Sequence, residues 1–282
     1  MPFIKKLNYD FHLQNNQLVL DKDYLNKCKF KKITGSRLAS VLGKNKYCSP
    51  FKIWTIIVGI FREDMDQTLA IAGQIIEPKI RDYVSSKLNI NFKVYDPIKV
   101  NWDVFKENKI FGGIPDGEPI NANGCIDYSN NKPMLEIKTS SFDTLVYEKK
   151  NGVLMIKKDD KGLPLIKEAQ KKYLSWFDPN TKKILISLEY QYQLALYLYL
   201  RNTSKGLFAI SWLYPNDYLN PNDFKIDGHE IRLCDFSIDL PQFVNEINQA
   251  KKWYNQYVIK GVSPLMSDND KLWFQEQINN QK

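Results

Sequence analysis

Histidine, paired cysteine and the common nucleotide and hydrolase motifs are scarce or missing in this chain of 282 residues. The two histidines, His12 and His229, lie more than 200 residues apart, which argues against a histidine-rich metal site. The four cysteines are scattered without a C-x-x-C pair, which argues against zinc, a disulfide framework and an iron–sulfur cluster. Neither a G-x-x-x-x-G-K-S/T loop nor a G-x-S-x-G turn occurs, so the sequence predicts neither an NTP-driven motor nor a Ser-His-Asp hydrolase.

Membrane and secretion signals are also missing. No stretch of 18 or more apolar residues occurs, so we expect no transmembrane helix. Residues 1–6 lack the apolar stretch and the small-residue cleavage site of a signal peptide. These absences predict a cytoplasmic protein without a membrane partner.

Charge indicates the class of partner. The net charge is +8, which favours an anionic partner, most simply nucleic acid. Basic residues cluster in 27–32 and again in 149–172. Aromatic residues make up 13% of the chain; we expect most in the core and a few able to stack on bases.

The most informative stretches are a G-I-P-D-G turn that contains Asp116 and an L-E-I-K run that contains Glu136 and Lys138. In a strand, residues two apart face the same way, so Glu136 and Lys138 should point together, away from Leu135 and Ile137. If the Asp116 segment pairs beside that strand, two carboxylates and an ammonium converge. Carboxylate oxygens suit Mg²⁺, which activates water and stabilises a phosphodiester transition state.

Each of these short motifs also has an ordinary structural interpretation. An Asp-Gly pair is usually only a turn, and Glu-x-Lys is common on edge strands. The apolar frame around Glu136 favours the metal interpretation, because it is typical of an interior strand. An unpaired charge is costly in such a strand, and a metal ion makes a buried acid tolerable there.

The pattern along the chain predicts one domain over 1–282, with a core at about 33–213, an inserted arm at 143–186 and C-terminal helices at 240–282. Thr34 and Ser49-Pro50 are candidate helix starts, and Pro78 should kink a long helix. Predicted helices cover 34–43, a segment from Ser49, 66–88, 164–175, 187–201, 240–258 and 268–280. Predicted strands cover 91–100, 108–114, 133–139, 207–213 and 230–238, with a hairpin arm at 152–157.

Six short motifs follow one another along the chain: Ile33-Thr34-Gly35-Ser36, Leu42-Gly43 with Ser49-Pro50-Phe51 and Trp54, Gly73 with Glu77-Pro78, Gly113-Ile114-Pro115-Asp116-Gly117, Leu135-Glu136-Ile137-Lys138, and Tyr190-Gln191-Tyr192-Gln193. In this order they resemble the PD-(D/E)xK nuclease superfamily, and within it the lambda-exonuclease-like branch that includes the YqaJ viral recombinase family. The resemblance implies an α/β (α+β) fold with a central mixed β-sheet flanked by helices, a restriction-endonuclease-like core with N-terminal helices and the arm. The stretch 143–186 is longer than the family usually needs.

Chemistry and the resemblance together assign roles at the metal site. Asp116 and Glu136 would be metal ligands, with the carbonyl of Ile137 completing a shell of oxygens for Mg²⁺, or Mn²⁺ as a substitute. Lys138 would orient or help deprotonate the attacking water and offset negative charge. Glu77 resembles the family's additional acid for a second metal; the alternative is a solvated helix acid.

Further residues are implied by the same resemblance. Gln191 resembles the family's helix glutamine near the metal, against the alternative of a surface amide, whereas Gln193 should face elsewhere on the helix. Ser36, Lys29 and Arg37 are candidates for binding a terminal 5′-phosphate. Family members often carry Arg just before the first motif, where this chain has lysines, so a solvated charge remains an alternative for Lys29.

The function that these expectations predict is Mg²⁺-dependent DNA hydrolysis. The resemblance implies a 5′-to-3′ exonuclease on linear duplex ends in phage-type recombination, with a single-strand annealing protein as a partner and a ring of three subunits. Two alternatives stay open: a restriction- or defence-type endonuclease on the same core, and a non-catalytic DNA-binding module.

Overall fold

The computed structural model describes residues 4–62, 66–150 and 153–279. Nine α-helices lie in these ranges: α1 (Lys22–Lys27), α2 (Gly35–Val41), α3 (Pro50–Ile57), α4 (Gln67–Leu88), α5 (Lys171–Leu174), α6 (Leu188–Leu200), α7 (Pro215–Leu219), α8 (Leu240–Trp253) and α9 (Asp268–Asn279). The described strands are β1 (Phe11–Gln14), β2 (Gln17–Leu20), β3 (Ile33–Thr34), β4 (Asn91–Lys93), β5 (Phe111–Gly112), β6 (Glu118–Ile120), β7 (Met134–Ser141), β8 (Thr144–Leu145), β9 (Tyr147–Lys150), β10 (Val153–Ile156), β11 (Ile166–Glu168), β12 (Lys205–Leu213) and β13 (Ile231–Ser237).

A mixed three-stranded sheet forms the centre, in the order β13-β12-β7. β12 pairs in parallel with β7 and antiparallel with β13. Residues 206–213 of β12 are all buried, as expected of a central strand covered on both faces. Beside the other edge of β7, Gly117 exchanges backbone hydrogen bonds with Leu135, so the segment of the G-I-P-D-G turn lies against this strand. The expected mixed sheet flanked by helices is confirmed.

The helices α2, α3, α4, α6, α8 and α9 begin within one residue of the starts that the sequence predicts. Ser49 accepts the backbone N–H of Lys52 at the start of α3, and Pro50 occupies the first turn. Asp66 caps α4, which continues through Pro78 to Leu88. None of the described helices is both long and apolar enough to cross a membrane.

Apolar side chains pack on both sides of the sheet. Glycine allows α2 to approach α6 closely: a Cβ at Gly35 would lie 2.8 Å from Cγ of Gln193 and 2.9 Å from Cζ of Tyr197. This approach brings the first motif of the sequence, at Gly35, against the Q-x-Q motif of α6.

Three sequence predictions were wrong in extent. The strand expected at 91–100 ends at Lys93, because Asp96 and Pro97 open turns that continue to Trp102. The strand expected at 108–114 is reduced to β5, since the side chain of Asn108 accepts two backbone N–H groups in a turn.

The third error is the helix expected at 164–175, where β11 and the short α5 are found instead. Gln170 separates these two elements with a φ of 55°, outside the helical range. The hairpin arm expected at 152–157 is present as β9 and β10, although Gly152 lies outside the described residues. The N-terminal hairpin β1–β2 had not been predicted.

Candidate active site

Asp116 lies directly against the strand that carries Glu136. Its Oδ2 accepts the backbone N–H of Ile137 at 2.7 Å. Its own backbone carbonyl accepts Nε of Arg81, from α4, at 2.9 Å. The side chain and the backbone of Asp116 are therefore fixed by two different elements, and the structure brings together the two acids that the sequence singled out.

Glu136 is a fully buried carboxylate in the middle of β7. Oε2 has no hydrogen-bonding partner in the described part of the chain. Nζ of Lys138 forms an ion pair with Oε1 at 2.6 Å. Burial and, secondly, the charge of Asp116 raise the pKa of Glu136 to about 8. A buried carboxylate oxygen without a partner can bind a cation or accept a hydrogen bond.

Lys138 is enclosed by three neighbours. Besides Glu136, its Nζ lies 3.3 Å from Oε1 of Gln193 and 4.8 Å from the ring centre of Tyr190. Burial opposes protonation of Lys138, but the charges of Glu136 and Asp116 outweigh it and raise its pKa above the ordinary value. The ammonium is thus held charged and in one place beside the acids.

Glu77 reaches the same region from α4. A Cβ at Gly73, one turn earlier, would lie 3.5 Å from Oε1 of Glu77 and 3.9 Å from Oγ1 of Thr139 on β7, so α4 passes close over this strand. Burial and the charge of Asp116 raise the pKa of Glu77 to about 7, above that of a solvated helix acid. The geometry favours an acid that belongs to the cluster over one that faces solvent.

One face of α6 closes the site, and the sequence reasoning had missed it. Tyr190, Gln193 and Tyr197 are spaced by three and four residues and therefore share a helix face. The Tyr197 ring is buried, and a Cβ at Gly113 would lie 2.5 Å from its hydroxyl. Gly113 also has a φ of 131°, so glycine is required there twice over. The three- and four-residue spacing of Tyr190, Gln193 and Tyr197 is the sequence signal from which this helix face could have been predicted.

The structure corrects the choice between the two glutamines. Gln193 contacts Lys138, whereas the Nε2 of Gln191 donates to the carbonyl of Ile186 at 2.7 Å. Gln191 instead lines a hollow of about 290 Å³ with Phe243 on α8. Residues two apart on a helix are about 200° apart, so only one of the pair can face the acids.

The residues expected to bind a terminal phosphate are spread out. Ser36 is exposed at the start of α2, with Oγ 3.1 Å from Oγ1 of Thr34. Arg37 donates from Nη1 to the carbonyl of Lys32 at 2.8 Å. Lys29 is exposed and lines a hollow of about 1180 Å³, which Lys31 also lines.

Lys31 lies near two other cations, Arg37 and Arg62. Burial and then the charges of Arg37 and Arg62 lower the pKa of Lys31, as expected where cations stand together. Lys32, by contrast, is engaged with Asp103, its Nζ lying 2.6 Å from Oδ2. An anion would relieve the repulsion among Lys31, Arg37 and Arg62.

The oxygens of this site fit a hard divalent cation. Asp116 and Glu136 offer carboxylate oxygens, and Oε2 of Glu136 is buried and unpaired. In residues 4–62, 66–150 and 153–279, no three His, Cys, Asp or Glu side chains form a ready metal site. An ion would therefore rest on one or two carboxylates with carbonyl, water and phosphate oxygens, which is the coordination that Mg²⁺ prefers.

Comparison with known proteins gives a family and two relatives of full length. A family model described as "YqaJ-like viral recombinase domain" matches residues 25–202. "Uncharacterized protein MG373" of Mycoplasma genitalium is 49% identical over 278 residues, 98% of this chain and 99% of the relative. "Uncharacterized protein MG373 homolog" of Mycoplasma pneumoniae is 48% identical over 278 residues, again 98% of this chain and 99% of the relative. Among solved structures, an alkaline exonuclease (LHK-Exo) from Laribacter hongkongensis aligns with a TM-score of 0.46 and 11% identity, covering 93% of this chain and 100% of that one.

Proposed function

Because this chain belongs to the YqaJ-like viral recombinase domain family, we propose that it is a Mg²⁺-dependent DNA nuclease. One observation carries the proposal: Glu136 is fully buried with an unpaired carboxylate oxygen, in an acid cluster with Asp116. If Glu136 served only in a structural ion pair, both of its carboxylate oxygens would be expected to have partners. A carboxylate left with a free oxygen beside a second acid is instead suited to a metal ligand.

The residues of the chain divide the work of hydrolysis. Asp116, Glu136 and the carbonyl of Ile137 would hold Mg²⁺, and Glu77 would contribute to the same acid cluster. When bound, the ion supplies Lewis-acid stabilisation of the phosphodiester and an activated water. Lys138 stays protonated, since the neighbouring acids raise its pKa, so we assign it to orient the water and offset charge on the phosphate.

The decisive experiment compares two substrates with and without metal. The purified protein is incubated with linear and covalently closed duplex DNA, in Mg²⁺ or in EDTA. We expect progressive shortening of linear DNA in Mg²⁺, survival of the closed circles and no cleavage in EDTA. Discrete fragments from closed circles would favour an endonuclease, and binding without any cleavage would leave a DNA-binding module.

Variants connect that activity to the site. Glu136→Gln and Lys138→Gln should abolish cleavage, whereas Glu189→Gln, at a half-buried acid in the first turn of α6, should cleave as the parent does. Full activity of Glu136→Gln would refute the proposed metal site.

Polarity and assembly are the finer parts of the proposal. We propose 5′-to-3′ degradation, to be read from duplexes labelled at one end or the other, and a cytoplasmic role in recombination with a single-strand annealing protein. A homotrimer, as the resemblance implies, would have a mass of about 99 kDa in solution, three times the 33.0 kDa of one chain. Light scattering distinguishes it from a monomer.

A further inference from the structure

The segment 157–183 of the inserted arm carries a concentrated positive charge. It contains eight lysines and four acidic residues, a net +4 in 27 residues, against +8 for the whole chain. All eight lysines are exposed. They are Lys157, Lys158, Lys161, Lys167, Lys171, Lys172, Lys182 and Lys183.

Few of these charges are compensated. Lys171 pairs with Glu168 at 2.6 Å, and no carboxylate in the described ranges lies within 4 Å of the other seven ammonium groups. Asp159 and Asp178 accept backbone N–H groups of their own turns. The surface therefore presents free cations, which suits a polyanion.

Buried carboxylates anchor the arm to the rest of the protein. Oδ2 of Asp66, at the start of α4, accepts the backbone N–H of Ile156 at 2.7 Å. Oδ1 of Asp143 accepts the backbone N–H of Gln170, also at 2.7 Å. Both aspartates are less than 9% exposed. Such anchoring holds the lysines in place, so that less entropy is lost when a ligand binds.

The arm also packs onto the candidate active site. Nε1 of Trp176 donates to Oγ of Ser140, two residues beyond Lys138 on the same strand. The Trp176 ring stacks on Tyr190, with centroids 5.9 Å apart, and Tyr190 is the ring that lies 4.8 Å from the ammonium of Lys138. Two aromatic side chains thus connect the basic segment to the lysine of the site.

The aromatic residues of this segment favour duplex over single-stranded DNA. Proteins that bind single strands offer exposed rings for stacking bases. Here Trp176 is buried, and Tyr173 and Phe177 pack against Trp212 in the core, with ring centroids 4.9 and 5.8 Å away. Lysine is the most frequent exposed residue of 157–183, and it is a point charge that contacts phosphates without reading sequence.

We propose that segment 157–183 binds the phosphates of the duplex that flanks the bond held at the candidate active site. This inference rests on the proposed function for the identity of the ligand as DNA. The segment would hold the uncut part of the duplex beside Lys138 by sequence-independent contacts.

The test measures binding apart from cleavage. A labelled blunt duplex of 30 base pairs is titrated with the full chain in EDTA, at salt concentrations from 50 to 200 mM, and anisotropy gives the affinity. Melting temperatures check that each variant is folded. Three double variants are compared: Lys157→Gln with Lys158→Gln and Lys182→Gln with Lys183→Gln in the arm, and Lys252→Gln with Lys260→Gln, both exposed on the C-terminal part, as the control.

Removing one ammonium group that binds a phosphate should flatten the slope of log affinity against log salt by about 0.9. An arm variant in which both lysines had bound phosphates should therefore flatten it by about 1.8, so that the parent loses about tenfold more affinity than the variant between 50 and 200 mM. The control should keep the parent's slope. Arm variants with the parent's slope, a control that flattens equally, or a parent that does not bind the duplex would overturn the inference.

Cleavage of the same duplex in Mg²⁺ is scored separately. If the parent binds DNA through the arm but never cleaves it, the proposed nuclease activity is refuted and the proposed DNA binding by the arm is retained. If the parent cleaves DNA and the arm variants bind it as the parent does, only the proposed DNA binding by the arm is refuted.

Discussion

At the scale of single residues, the amide of Gln193 is the neutral contact that fixes Lys138. Replacing it by leucine removes an acceptor 3.3 Å from the ammonium. Hydrogen bonds to charged groups contribute about 1.5–3 kcal/mol, and the length of this one favours the lower end. We therefore predict that Gln193→Leu lowers kcat on linear duplex about tenfold with little change in KM. Gln191→Leu is the matched control on the same helix: it should retain kcat, and a decrease equal to that of Gln193→Leu would contradict the assignment.

The sequence could predict that Asp116, Glu136 and Lys138 lie together because their placement depends on local pattern: a turn acid, and two polar residues two apart in a buried strand. It could not choose between Gln191 and Gln193. That choice depends on the rotation of α6 about its own axis, which is set by close contacts at Gly35 rather than by anything inside the helix.

Cations around α2 give a second prediction at this scale. Lys29 and Lys31 are both exposed, but Lys31 stands near Arg37 and Arg62, and its pKa is lowered by partial burial and then by their charges. A 5′-phosphate should therefore gain more from Lys31 than from Lys29.

Lys31→Gln should reduce the preference for 5′-phosphorylated over 5′-hydroxyl duplex about tenfold, the effect of one charge-assisted contact. Lys29→Gln should reduce it less. Initial rates on the two substrates provide the measurement, and the reverse order would assign the contact to Lys29.

At the scale of elements, the turns after α7 are held by the side chain of His229. Nε2 of His229 lies 2.8 Å from Oδ2 of Asp217, and Nδ1 lies 2.8 Å from the carbonyl of Lys225. Burial opposes protonation, but these two acceptors outweigh it and raise the pKa of His229 above 6.5. Asp217 also accepts the backbone N–H of Tyr214 at the start of α7, so the ion pair connects a helix to its following loop.

This ion pair predicts a pH-dependent stability. Because the folded-state pKa is the higher one, the contribution is fully present below about pH 6.5 and is lost as the pH rises through the folded-state value. The midpoint of urea unfolding should therefore fall between pH 6 and pH 8.5 in the parent more than in His229→Gln. Parallel curves for the two proteins would show that the pair contributes nothing.

Elements with strong periodic signals could be predicted, and elements defined by distant partners could not. α4 and α6 follow from apolar spacing, and β12 from an apolar run. β11 exists because it pairs with β8, more than twenty residues earlier, and local preference in the Lys-rich segment favoured a helix instead. β5 is two residues long because Asn108 diverts the backbone beside it into a turn.

At the scale of the whole molecule, the acid cluster opposes folding unless a cation is bound. The folded state raises the pKa of Glu136 to about 8, from an ordinary value of 4.5, so stability is lost as the pH rises between these values. A glutamine at this position keeps the shape and carries no charge. In EDTA, Glu136→Gln should therefore be at least as stable as the parent at pH 8.5.

Magnesium should reverse that order, because an ion that binds only the folded chain stabilises it. At a free concentration one hundred times its Kd, the gain is about 2.7 kcal/mol, which for a chain of this size corresponds to a rise in Tm of about 5–10 °C. We predict this rise for the parent and for the control Glu189→Gln, and little or none for Glu136→Gln. Thermal unfolding with and without Mg²⁺ measures it without DNA or activity. An equal rise in Glu136→Gln would place the ion elsewhere, since the buried carboxylate of β7 would then have no part in holding it.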